Sequence, residues 1–302
     1  MSTHYDIEQP AAPGGWRVLA PFRFREYRIL MAAVSLSIFA EGMWTVVMAL
    51  QVIELDNDPT SLSLVATCLA AGLVAFVLVG GLAADRVSQR GIIIVVTAVN
   101  TVVVAVVAAL GIVGALRIWH MAVAAAALGI AAAFFFPAYS AILPRILPAE
   151  QLLAANGVEG VVRPVFQRAV GPATAGLVVG ATVPSAGAVV VAGLFGVGLV
   201  LLVATRPPTV TTAAQHDRPH LLRDLRDGCV FVVQTPWLLW TLLFASMFVL
   251  VVLGPIEVLL PFVIAERFDH GAQTYGFILA FFGMGSALGA LAVSSRRLPR
   301  RY

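Results

Sequence analysis

Long apolar runs separated by short polar stretches repeat along the whole chain. Eight of these runs hold about 20 or more mostly apolar residues, the length that an α-helix needs to cross a bilayer. They cover residues 29–55, 61–84, 92–115, 119–143, 157–180, 184–205, 237–264 and 272–294. Val and Ala dominate and a two-residue alternation is absent, which favours helices over the strands of an outer-membrane barrel. The pattern predicts an all-α, multi-span membrane bundle.

One long polar stretch separates six of the predicted spans from the other two. We predict a cytoplasmic N-terminal segment (1–28), a six-helix half (29–205), a cytoplasmic linker (206–236) and a last part with two helices and a cytoplasmic end (237–302). In the linker, three leucines share one face at helical spacing, namely Leu221, Leu222 and Leu225. That face fits an amphipathic helix on the inner membrane surface, and a plain connector is the alternative.

The composition agrees with a membrane protein and sets aside several other classes. Hydrophobic residues make up 60% of the chain and charged residues only 12%, whereas about 25% is usual for soluble domains. All 19 basic residues are Arg, and most of them flank apolar runs, which suits a topology signal better than a nucleic-acid footprint. The two cysteines support no disulfide framework.

The arginines also predict an orientation. With the N-terminus inside, 15 of them fall in cytoplasmic segments and two, Arg117 and Arg267, in external loops. Positive charge accumulates on the cytoplasmic side of a membrane protein, so both termini are expected there.

Enzymatic chemistry finds little support in the sequence. The five histidines are scattered without the spacing of a metal site, and no phosphate-binding loop is present. We therefore expect no enzyme, no metal and no cofactor, and an ion gradient as the energy source for any transport.

The end of the second apolar run carries a short motif of small, acidic and basic residues. Gly81, Asp85, Arg86 and Arg90 resemble the signature that follows the second helix of major facilitator superfamily transporters, although Ser88 replaces its usual glycine. The resemblance implies a gating role at the cytoplasmic face. A solvated Asp-Arg turn is the alternative.

Further segments resemble the same superfamily. Gly171, Pro172 and Gly176 are similar to the Gly-Pro signature of the fifth helix in its antiporters, and Gln167 stands where a further glycine would complete it. Residues 136–156 look like the exit of the fourth helix and a following short helix in its exporters. Two glycine pairs at four-residue spacing are expected to make close helix contacts: Gly176 with Gly180, and Gly285 with Gly289.

Charges inside the predicted spans are the candidate site residues. Glu41 lies midway along the first span, at a position similar to an acid of this exporter group; it either couples proton movement or is a neutral, hydrogen-bonded carboxyl. Arg168 is expected to line a cavity or to pair with Glu41. Glu257 is a further buried acid, for a cavity or for helix packing. Arg163 follows Glu159 by four residues, which predicts a structural ion pair.

The resemblance implies a secondary transporter that exports small amphipathic compounds, drug-like or siderophore-like, by proton-coupled alternating access. It implies a multi-pass protein of a bacterial plasma membrane. The expected partners are the substrate, protons and lipid, and the resemblance does not assign an oligomeric state. The superfamily pattern has twelve spans and eight are predicted here, which suggests an incomplete second half. A truncated, non-transporting membrane protein or an interaction subunit is therefore the alternative.

Overall fold

The computed structural model describes residues 17–204, 230–268 and 270–294, and within them it is helical with no strand. A short 3-10 helix covers Arg17–Arg23. The main α-helices within these ranges are α1 Arg25–Leu55, α2 Pro59–Arg86, α3 Gln89–Ile112, α4 Ile118–Ile146, α5 Ala149–Arg163, α6 Gly171–Ala181, α7 Pro184–Ala204, α8 Pro236–Phe248, α9 Gly254–Arg267 and α10 Gly271–Ser294.

Two of the membrane spans contain a π-helical segment. The fifth span consists of α5, a first π segment at Pro164–Val170 and α6, which follow one another without a break. The seventh span consists of α8, a second π segment at Val249–Leu253 and α9. In both, a Gly-Pro pair follows directly. Proline lacks an N–H and its ring crowds the carbonyl four residues earlier, so a widened turn before it relieves the clash.

The predicted spans coincide with these helices to within a few residues, except that the helix of the fifth span begins at Ala149 rather than at residue 157. Within the described ranges, six helical stretches are long and apolar enough to cross a membrane: Arg25–Leu55, Pro59–Arg86, Gln89–Ile112, Ile118–Ile146, Pro184–Ala204 and Pro236–Arg267. The short helix predicted after the fourth span is not separate, because α5 runs from Ala149 directly into the fifth span. The leucine face of the linker lies outside the described residues.

The helices pack as a bundle with α1 and the fifth span near its centre. The second helix packs on α4, and α7 packs on both α1 and α3. The fifth span contacts α1 on one side and α10 on another. It therefore joins the first helix to the last one.

Small residues form the seam between α2 and α4. A Cβ atom at Gly72, Gly80 or Gly129 would overlap a backbone carbonyl oxygen of the facing helix, that of Ala126, Ala133 or Leu69. Such close approach allows van der Waals packing between helices, which is the main source of their association in lipid.

Candidate functional site within the helical bundle

Glu41 lies at the contact between the first and fifth spans. Its carboxylate Oε2 accepts a hydrogen bond of 3.0 Å from Nε2 of Gln167, and both side chains are partly buried. Glu41 is 16 residues from the start of the 31-residue helix α1, which places it near the middle of that helix. A polar pair at this depth links two helices that are far apart in sequence.

The first π segment and two glycines bring Gln167 to this position. A Cβ at Gly42 would lie 2.6 Å and 2.7 Å from the carbonyl oxygens of Phe166 and Gln167. A Cβ at Gly171 would lie 2.9 Å from the backbone of Gly42. Because only glycine fits at both places, the backbone of α1 touches that of the π segment beside Glu41. The rings of Phe39 and Phe166 meet edge to face across the same interface, 6.0 Å between centroids.

Arg168 is not the partner of Glu41. Its side chain is exposed, whereas the neighbouring Gln167 makes the contact. The expected pairing of Arg168 with Glu41 is therefore wrong, because the widened turn and the close approach of α1 present Gln167 to the carboxylate. The backbone carbonyl of Arg168 instead lies against Gly283 of α10, where a Cβ would overlap it.

The predicted ion pair between Arg163 and Glu159 is confirmed. Nη2 of Arg163 lies 2.9 Å from Oε1 of Glu159, one helical turn earlier in α5. The guanidinium carbon also stands 5.0 Å from the ring centroid of Phe136 in α4, within reach of a cation–π interaction. Arg163 is close enough to act electrostatically on Glu41 as well. The polar side chains of the fifth span near α1 and α4 are thus Glu159, Arg163 and Gln167.

Glu257 does not behave as the buried acid that the sequence suggested. It lies in the first turn of α9, directly after the second π segment, and its side chain is exposed. None of the residues of α8 or of the second π segment is buried. The first half of the seventh span, α8 and the second π segment, is therefore only partly covered by other described residues.

The motif after the second span divides into buried and exposed parts. Gly80 packs against α4, whereas a Cβ at the predicted Gly81 would meet nothing within 4 Å. Asp85 and Arg86 are exposed at the end of α2. Arg90 donates from Nη2 to the carbonyl oxygen of Leu202, at 2.6 Å. It therefore caps the C-terminal end of α7, where helix carbonyls lack backbone partners and favour a cation.

Gly176 and Gly180 make the close contacts expected of them, and their partners lie in α10. A Cβ at Gly176 would lie 2.7 Å from the carbonyl oxygen of Ala272, and one at Gly276 would lie 2.5 Å from that of Pro172. Gly180 faces the side chain of Gln273. Among the described residues, close contacts at Gly285 and Gly289 are not found, since a Cβ on either would meet none of their atoms within 4 Å. The packing face of α10 is thus the one that carries Gly276 and Gly283.

Sequence reasoning treated Gln167 only as a departure from a glycine signature. The sequence feature that marks Gln167 is a polar amide within an apolar span. It lies six residues after Val161 and five residues before Pro172. A proline at that place predicts a disturbed turn before it, but the face on which the turn places an amide depends on neighbouring helices.

The fold defines an all-α, multi-span membrane protein with a few polar groups between its helices. Residues 17–301 match the family model described as transmembrane secretion effector, a family of the major facilitator type. The chain belongs to this family, and the family points to a transporter rather than an enzyme. A comparison with curated proteins finds no match.

Proposed function

We propose that the protein is a proton-coupled exporter of small amphipathic compounds that works by alternating access. The observation that carries the proposal is the Glu41 carboxylate midway along α1, partly buried and bonded to the fifth span. An acid at the centre of a bilayer costs about 2.5–3.5 kcal/mol on insertion scales, so such residues are usually found in ion and substrate pathways. The description of the family as secretion effectors supports export as the direction.

In the proposed mechanism, Glu41 takes up a proton from the outer side and releases it to the cytoplasmic side. The change of charge at the contact between α1 and the fifth span alters the relative stability of the two arrangements of the bundle, which is what coupling requires. Asp85 and Arg86, both exposed at the predicted cytoplasmic end of α2, are proposed to gate that side.

The substrates proposed are drug-like or siderophore-like molecules with both apolar and polar parts. The protein supplies an apolar bundle with few charges, in which Glu41, Arg163 and Gln167 are the groups that can orient a polar moiety. Such a combination of apolar walls and a few placed polar groups is typical of small-molecule sites.

The experiment compares Glu41→Gln with Glu257→Gln in everted membrane vesicles. A panel of amphipathic compounds, beginning with ethidium, is added to vesicles with an acidic interior, and proton release is followed with a pH-sensitive dye. We expect the unaltered protein and Glu257→Gln to release protons on substrate addition, because Glu257 is exposed and outside the central contact. Glu41→Gln should reach the membrane at normal levels and release none.

Unchanged proton release by Glu41→Gln would exclude Glu41 as the coupling residue. Loss of release in Glu257→Gln alone would move the coupling site to the seventh span. Proton flow of the opposite sign would contradict the proposed exchange of substrate for protons.

A further inference from the structure

The Glu41 carboxylate is bonded to a neutral side chain, Gln167, although a charged side chain, Arg163, lies on the same span. Nε2 of Gln167 is 3.0 Å from Oε2 of Glu41, while Arg163, one turn away on the same span, is bonded to Glu159. The backbone at Gln167 is fixed against Gly42, next to Glu41 in sequence. The amide is therefore held at one place relative to the carboxylate.

An amide can serve both protonation states of a carboxyl group. It carries two N–H donors and one carbonyl acceptor, whereas a guanidinium carries donors only. With Glu41 ionised, Nε2 donates to the carboxylate. With Glu41 neutral, its O–H donates to Oε1 of Gln167 while Nε2 donates to the remaining carboxyl oxygen. A guanidinium in the same place would stabilise the ionised form alone and would oppose proton uptake.

We propose that Gln167 is the positioning residue of Glu41, which holds the carboxyl group in place in both protonation states and transmits its proton binding to the fifth span. The inference rests on the proposed role of Glu41 as the coupling residue. The ionised carboxylate repels Oε1, so loss of the proton turns the amide until Nε2 alone faces Glu41. This rotation of the Gln167 side chain takes place in the first π segment, whose backbone contacts α1 at Gly42 and α10 at Gly283.

Other groups around Glu41 are few among the described residues. Arg163 of the fifth span is the charged group that acts on it. Tyr139 of α4 lies near Glu159 and Arg163, and Tyr275 of α10 is near Glu257. The adjacent α7 carries no ionisable side chain. Beside its burial, Gln167 and Arg163 are therefore the groups on which the protonation of Glu41 is expected to depend.

Infrared spectroscopy of the purified protein in lipid vesicles tests the inference without a substrate. The carboxylic-acid band that Glu41→Gln removes is followed during a pH titration. Gln167→Met keeps the shape of the side chain but removes both the donor and the acceptor, and Gln167→Asn shortens its reach. In either variant we expect the Glu41 band to move to higher frequency and its titration midpoint to rise by about one pH unit, the size of one hydrogen bond to a charged group.

Gln51→Met is the matched control. Gln51 donates to Glu54 at 2.9 Å, but the two residues lie in the same helix near its outer end. This variant should leave the Glu41 band unchanged. Proton release on ethidium addition should fall about tenfold in Gln167→Met and stay normal in Gln51→Met, since a shift of one pH unit is a factor of ten in protonation.

The outcomes separate the two proposals. If Glu41→Gln removes a titrating band and abolishes proton release, but both Gln167 variants titrate like the unaltered protein, the positioning role is wrong and the proposed function stands. If no titrating band depends on Glu41, the proposed function fails first. A variant that does not elute as a folded protein is replaced by the other Gln167 variant.

Discussion

The fifth and seventh spans contain the same local irregularity in two different settings. In each, a π segment precedes a Gly-Pro pair, Gly171-Pro172 in one and Gly254-Pro255 in the other. In the fifth span the π segment lies between α1 and α10, and glycines on both neighbours touch its carbonyl groups. In the seventh span no residue of α8 or of the second π segment is buried.

The comparison shows that a π segment before a Gly-Pro pair does not by itself determine a role. A proline inside a helix removes one backbone donor and crowds the preceding turn. Only the fifth span combines that turn with two neighbours close enough to use its geometry. Its amide Gln167 reaches Glu41, whereas the exposed Glu257 that follows the second π segment reaches no such partner among the described residues.

The largest effect is expected from replacing the glycine after each π segment. A Cβ at Gly171 would lie 2.6 Å from the Phe166 carbonyl oxygen and 2.9 Å from Gly42, whereas one at Gly254 would meet only the Val249 carbonyl oxygen, at 3.5 Å, among the described atoms. Gly171→Ala should destabilise the protein by about 1–3 kcal/mol through overpacking. Gly254→Ala should be neutral or stabilise it by up to about 1 kcal/mol through helix propensity.

Unfolding in mixed detergent micelles, followed by tryptophan fluorescence, measures both free energies. If Gly171→Ala proved as stable as Gly254→Ala, the close contact between α1 and the fifth span would not hold in the protein.

A smaller effect is expected from replacing the prolines themselves. Pro172→Ala restores an N–H that can bond to the Arg168 carbonyl, so the turn can return to α geometry and rotate Gln167 away from Glu41. We expect about a tenfold loss of proton-coupled efflux, the equivalent of one hydrogen bond to a charged group. Pro255→Ala should leave efflux unchanged. Equal losses in both variants would show that the widened turn matters by itself and not through Gln167.

The smallest effect on stability is expected at the N-terminal ends of two helices, α2 and α8. Asp58 caps α2, accepting hydrogen bonds from the backbone N–H and the hydroxyl of Thr60, whereas Thr235 before α8 makes no side-chain cap. The bonds from the Thr60 hydroxyl and N–H hold the pKa of Asp58 below its usual value. Its contribution to stability is thus present above the ordinary Asp pKa and is lost as the pH falls through the lowered one.

Asp58→Ala should therefore lower stability slightly near neutral pH and make no difference in strong acid. Thr235→Ala, the control, should show no such pH dependence. Thermal unfolding scans of both variants over a range of pH check this, and a pH-independent loss in Asp58→Ala would contradict the cap.

The sequence by itself determined the features that depend on local chemistry. Apolar length placed the spans, since a helix must satisfy its own backbone groups in lipid. The spacing of Glu159 and Arg163 determined their ion pair, because residues four apart share a helix face. The resemblance to a Gly-Pro signature drew attention to Gly171, Pro172 and Gly176. The helix is irregular just before them, and these residues are closely packed.

Only the tertiary structure decided which face of each helix meets a neighbour. Gly80 rather than Gly81 packs against α4, and Gly276 and Gly283 rather than Gly285 and Gly289 face the fifth span. Gln167 rather than Arg168 reaches Glu41. One residue along a helix changes direction by about 100°, so a local pattern that is right to within a residue can still point to the wrong partner. The rotation of each helix is set by the backbones that approach it, and those come from distant parts of the chain.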